Sequence, residues 1–173
     1  MRRILNINRK WAFSKQATTV PREMPSDWCF VNLPHSWNAI DGQDGDNDYY
    51  RGTCYYVKKI NKTELPKADK YYLEINGANS SADVLLNGKI LAHHDGGYST
   101  WRVDITNGIK DENLLVIAVD NSANDKVYPQ MADFTFYGGI YRNVTFIEVE
   151  SAHFDFSKCG TDGLFVTPYS SGK

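Results

Sequence analysis

Apolar residues in this chain recur at every second position over short runs, and no stretch of ordinary helix length carries a clean 3.6-residue stripe. In residues 71–75, Tyr71, Leu73 and Ile75 share one face, and Tyr72 and Glu74 share the other. Strand signals of the same kind cover residues 53–60, 101–105 and 144–149. Residues 114–119 are apolar on both faces, which predicts a central strand of a layered fold. Residues 5–7 and 11–13 read as two edge segments, and 28–33 as an apolar run stopped by Pro34. The sharpest local signal is "ADVLLNGKILAHH". Asn87-Gly88 joins two apolar stretches there, and that pair favours a type I′ hairpin because both residues tolerate positive φ. About nine or ten short strands follow, with turns every 8–12 residues or so, and the expected fold is an all-β sandwich or jelly roll.

The end of the chain breaks this rhythm. "GTDGLFVTPYSSGK" places a strand-like piece, residues 164–167, after a polar, glycine-bearing link and before a Ser/Gly tail. A strand with nothing to pair with points to a second domain. The expected division is a body of residues 1–156, then residues 157–173 as a linker and first strand of that domain, so that the chain is a piece of a longer protein.

Composition narrows the classes. The 173 residues fit one domain. The aromatic load of 11 Tyr, 8 Phe and 4 Trp suits pleated surfaces and also surfaces that recognise ring-shaped ligands. A net charge of −2 supplies no broad basic field, which argues against nucleic acid or anionic lipid as partners. No run approaches the ~18 apolar residues of a membrane span, and no apolar core follows the basic residues of "MRRILNINRKWAF", so no signal peptide is visible. Cys29, Cys54 and Cys159 are odd in number and form no CxxC pair, which predicts reduced thiols.

Four acids, Asp41, Asp44, Asp46 and Asp48, crowd the stretch "DGQDGDNDYYRG". An EF-hand needs Gly at its sixth and Glu at its twelfth position; counted from Asp44 these are Tyr49 and Tyr55, so the expectation is a turn-rich loop whose acids cap backbone N–H groups. His93 and His94 are neighbours on a strand and point to opposite faces, while His35 and His153 stand alone; surface or packing roles are expected for all four. There is no G-x-S-x-G elbow, no phosphate-binding G-x-x-x-x-G-K and no marked pair of carboxylates. One stretch stands out, "MADFTFYGGIYRNV". An acid beside aromatic rings fits a sugar, whose hydroxyls donate to carboxylate oxygens and whose C–H face stacks on rings. It equally fits a structural turn, with the glycines making a tight bend and Arg142 pairing with an internal acid. The residues leave both open.

"LPHSWN", "DGGYSTWRVDIT", "NLLVIAVDNS" and "DFTFYGGIYRNV" occur in the order and spacing of one family. Together they resemble the N-terminal sugar-binding domain of family 2 glycoside hydrolases, β-galactosidases in particular, over about residues 4–150. The resemblance implies a jelly-roll β-sandwich, with "DGLFVTP" similar to the first strand of an immunoglobulin-like domain. It implies that the two catalytic glutamates lie on a TIM barrel two domains later. The implied parent enzyme hydrolyses terminal β-galactosides, and this chain alone would hold no catalytic residue, no metal and no cofactor. Any Mg or Na would belong to the barrel. Implied partners are a carbohydrate and the enzyme's own immunoglobulin-like and barrel domains, and a homo-oligomer is left open. In the family an Asp six residues before the glycine of the Gly-Ile-aromatic-Arg step contacts sugar, which maps to Asp133. A loop Asn maps to Asn47, with Asp48 as its alternative. The rival readings are an autonomous carbohydrate-binding module, or the same domain of a β-glucuronidase or β-mannosidase.

Overall fold

The protein is described by a computed structural model that covers residues 2–39, 41, 49–128, 135–156, 158 and 160–170. Ten strands run in chain order among these residues: β1 (Arg3–Asn6), β2 (Trp11–Ser14), β3 (Cys29–Val31), β4 (Thr53–Asn61), β5 (Lys70–Ile75), β6 (Ser81–Leu86), β7 (Lys89–Asp95), β8 (Trp101–Asp104), β9 (Glu112–Asp120) and β10 (Val144–Val149). The helical content of the described residues is two 3₁₀ turns, Lys62–Glu64 and Thr106–Gly108. The strands form two antiparallel sheets, ordered β1-β10-β5-β8 and β3-β2-β4-β9-β6-β7. This is the jelly-roll sandwich that the alternation predicts.

The period of two decides which side chains fill the space between the sheets. Tyr71, Leu73 and Ile75 of β5 and Val144 and Phe146 of β10 meet Cys54, Tyr56, Leu115, Ile117 and Val119 from the larger sheet in one buried cluster. Burying one such side chain is worth about 1.5–3 kcal/mol relative to exposure. The opposite face of the smaller sheet is covered too. Tyr72, Ile147 and Val149 pack under Phe156, which returns over the sheet after β10. Arg102 fixes this return. It pairs with Glu74 at 2.6 Å, donates to the Thr161 carbonyl and lies over the Phe156 ring.

The hairpin forms as expected. Asn87 and Gly88 both have positive φ, 53° and 80°. The Asn87 amide also donates to Gly108 O and accepts from Leu114 N–H, so the turn is tied to the start of β9. β9 lies between β4 and β6 as the central strand of its sheet.

Two expectations need correction. β2 is not an edge strand: it pairs with both β3 and β4, and Trp11 and Ala12 are fully buried. Its brevity made it look marginal. The run 28–33 yields only the three residues of β3, an edge strand with Phe30 turned to solvent. Residues 164–167 stand apart from both sheets. Leu164, Phe165 and Val166 are exposed and have no ladder partner among the described residues, and β-propensity without a neighbour makes no strand.

Candidate functional site

At one end of the sandwich, four connecting segments are tied together by buried amides. Asn38 follows the "PHSW" turn and is fully buried. Its Oδ1 accepts from Gly138 N–H at 2.7 Å and from Asn121 Nδ2 at 3.3 Å. Its Nδ2 donates to Asp41 Oδ2 at 2.8 Å and to Tyr50 O at 3.0 Å. Asn121, directly after β9 and also fully buried, donates to Tyr50 O and accepts from Gly52 N–H. Ser36 Oγ donates to Gly138 O, and His35 N–H to Ile140 O. Every side-chain polar atom of Asn38, Asn121 and Ser36 has a partner, so the network holds its segments in one arrangement.

Asn79 performs the same task on the other flank. Its backbone N–H donates to Gly139 O, and its Nδ2 donates to Tyr137 O at 2.9 Å. Its Oδ1 accepts from Tyr128 OH at 2.9 Å.

The two glycines of "FYGGIYR" allow this close approach rather than a tight bend. A Cβ on Gly138 would stand 2.1 Å from Trp37 Cζ2. A Cβ on Gly139, whose φ is +132°, would stand 2.3 Å from the His35 carbonyl oxygen. Among the described residues Arg142 pairs with no acid. It donates to the carbonyls of Tyr98 and Asn76 and lies over the Tyr141 ring.

Asp41 closes the loop it begins, as the capping expectation required. Its Oδ2 accepts from Tyr50 N–H at 3.1 Å, and its Oδ1 lies 3.5 Å from Lys15 Nζ. Burial alone would raise this carboxyl's pKa, but the Tyr50 N–H and the Asn38 amide, helped by Lys15, hold it below the usual value. Below the network, His35 Nδ1 meets Tyr56 OH at 2.8 Å; burial, then Lys15, keeps the imidazole's pKa below its ordinary value.

The candidate sugar-contacting residues Asp133, Asn47 and Asp48 lie outside the described residues, as do Asp44 and Asp46. The structure does place the residues that flank them. Asp41 and Tyr50 stand before and after residues 42–48, Phe136 and Gly138 follow Asp133, and Asn38 bonds to Asp41, Tyr50 and Gly138 together. The histidines take packing or ion-pair roles: His93 lies between Asp83 and Asp95, His94 stacks on Trp101, and His153 meets Tyr72 OH. Among the described residues no group of three or more His, Cys, Asp or Glu side chains could hold a metal ion. Sequence reasoning missed Asn38, Asn79 and Asn121. The available signal was an amide directly beside an apolar run, in "SWN", "INGAN" and "AVDN", where burial forces it to find partners.

A two-sheet antiparallel sandwich whose end loops are set by a buried polar network is a jelly-roll domain of the type that presents ligand contacts on loops over a rigid scaffold. The chain belongs to the glycosyl hydrolase 2 galactose-binding domain-like family, whose model matches residues 43–153. It is 36% identical over 143 residues to a β-glucuronidase of Bacteroides fragilis, covering 82% of this chain and 20% of that protein. It is 30% identical over 157 residues to a β-galactosidase of Thermoanaerobacter pseudethanolicus, covering 83% of this chain and 20% of that protein. The crystal structure of Bacteroides uniformis β-glucuronidase superposes with a TM-score of 0.83 at 34% identity, covering 94% of this chain and 20% of that one. The chain thus spans about a fifth of the length of the curated relatives it matches.

Proposed function

We propose that this domain forms a non-catalytic wall of the sugar site of a family 2 glycosidase that hydrolyses terminal β-galactosides. The observation that carries this is the bonding of Asn38 to Gly138 on one side and to Asp41 and Tyr50 on the other. It ties Asp41 and Tyr50, which flank residues 42–48 in the chain, to Gly138, which follows Asp133 in the chain. In this reading Asp133 accepts a hydrogen bond from a substrate hydroxyl, and Asn47 or Asp48 makes a second polar contact. The acid and the nucleophile, about 5 Å apart in a retaining enzyme, come from another domain, so this chain by itself cleaves no glycoside.

A β-glucuronide is the second reading for the substrate. It is favoured by relatives at 35% and 36% identity that are named β-glucuronidases, against 30% for the β-galactosidase. The ratio of kcat/KM for aryl β-galactoside and aryl β-glucuronide in the full-length protein separates the two.

The test of the site is Asp133→Ala in that protein. A hydrogen bond to a carboxylate is worth about 1.5–3 kcal/mol, so kcat/KM should fall roughly ten- to a hundredfold with an unchanged melting temperature. A variant that melts early but turns over normally would make Asp133 a structural turn residue and end the sugar-contact reading.

A further inference from the structure

Beside the amide network lies a cluster of tyrosines that neither the core nor the proposed contacts require. Tyr98 stacks on Tyr128, with ring centroids 5.1 Å apart and planes 20° from parallel. Tyr141 meets Tyr98 edge-on at 6.2 Å, and Tyr128 touches Phe136 at 5.9 Å. The cluster is held from behind. Tyr128 OH donates to buried Asn79, Tyr141 OH donates to Gly97 O, and Arg142 donates to Tyr98 O. Gly97 makes room for this, since a Cβ there would stand 2.3 Å from Asn79 Oδ1. Yet Tyr98 itself is 52% exposed.

A core tyrosine would be covered, and a stray surface tyrosine would not be stacked and braced through its neighbours. A ring fixed in orientation and half open to water is what a pyranose C–H face needs. Such a contact buries apolar area on a surface already ordered, with little side-chain entropy left to lose. Tyr128 and Phe136 also stand on either side of the segment that includes Asp133. Along the chain the cluster thus brackets the segment of the proposed sugar contact and shares no residue with it.

We infer that the braced Tyr98–Tyr128 stack is a specificity surface that receives the sugar adjoining the terminal one, so that a β-linked disaccharide binds better than a simple glycoside. This rests on the proposal that the domain walls a sugar site.

The test is equilibrium binding of two uncleavable probes to the full-length protein: a thio-linked β-disaccharide and the methyl thioglycoside of its terminal sugar. The wild type should prefer the disaccharide. Tyr98→Ala should reduce that preference roughly three- to tenfold, the scale of one aromatic contact, and Tyr98→Phe should keep it. No preference in the wild type, or an unchanged preference in Tyr98→Ala, overturns the inference. Turnover of an aryl β-glycoside by the same samples reports separately on the glycosidase reading, because binding of the thio-linked probes does not require cleavage.

Discussion

Replacing Asn38 by alanine tests whether the amide network, rather than the surrounding apolar packing, holds the end of the sandwich together. The change removes four hydrogen bonds, to Gly138 N–H, Asn121 Nδ2, Asp41 Oδ2 and Tyr50 O. Their loss is unequal. Tyr50 O keeps the Asn121 amide, and Asp41 keeps Tyr50 N–H and Lys15. The Gly138 N–H loses its Asn38 acceptor in a dry site, and an orphaned buried donor costs about 1–3 kcal/mol while each further net bond adds about 1. The expected destabilisation is about 3–5 kcal/mol, a large share of the ~5–15 kcal/mol that holds a domain folded. At this size each kcal/mol lowers the melting temperature by about 2–4 °C, so a thermal melt should move down by roughly 6–20 °C. Asn38→Asp sharpens the test. It keeps the acceptor for Gly138 but sets a second carboxylate oxygen against Asp41 Oδ2, where the Asn38 amide now donates at 2.8 Å. Two carboxylates at that distance cannot both ionise without cost. Asn38→Asp should therefore melt lower at pH 7 than at pH 5, and should regain stability as one carboxyl takes up a proton. An Asn38→Ala variant that melts within about 2 °C of wild type, or an Asn38→Asp variant with no extra pH dependence, would refute the reasoning.

Two further outcomes follow from buried groups. Glu148 of β10 is 2% exposed, and neither carboxylate oxygen has a hydrogen-bond partner among the described residues; burial raises its pKa despite Arg3 nearby. A raised carboxyl pKa means the folded state holds the proton more tightly, so stability is lost as pH rises through the folded value. Glu148→Gln should then stabilise the protein by on the order of 1 kcal/mol at pH 7 to 8, with the gain vanishing towards pH 4; denaturant midpoints across that range decide it, and a pH-independent difference would contradict it. Cys54 is fully buried and its thiol is pushed up to about 12 by burial, whereas Cys29 is exposed. Because the thiolate is the nucleophile, iodoacetamide at about pH 8 should modify Cys29 and spare Cys54 until the protein unfolds; peptide mass mapping that finds both labelled at equal rates in the native state would show otherwise.

The amino-acid sequence by itself determined the strands, the hairpin and the family. Alternation in residues 71–75 assigned Tyr71, Leu73 and Ile75 to the core and Tyr72 to the outer face, because side-chain direction in a strand is a local property of the backbone. Asn87-Gly88 specified its own turn for the same local reason. What tertiary structure decided are the properties that depend on distant neighbours. Trp11 and Ala12 look like an edge until β3 and β4 close on either side of them. Residues 164–167 have strand composition but no described neighbour to pair with. Gly138 and Gly139 fit a turn as one of two open readings, and only the packing of Trp37 and His35 against them shows why no side chain fits. Asn38 and Asn121 lie 83 residues apart, and a buried amide is legible only once both ends of its hydrogen bonds are in place. Local conformation is encoded by spacing along the chain. The polar network of Asn38 and Asn121 comes from strand order, which brings together residues that spacing alone does not relate.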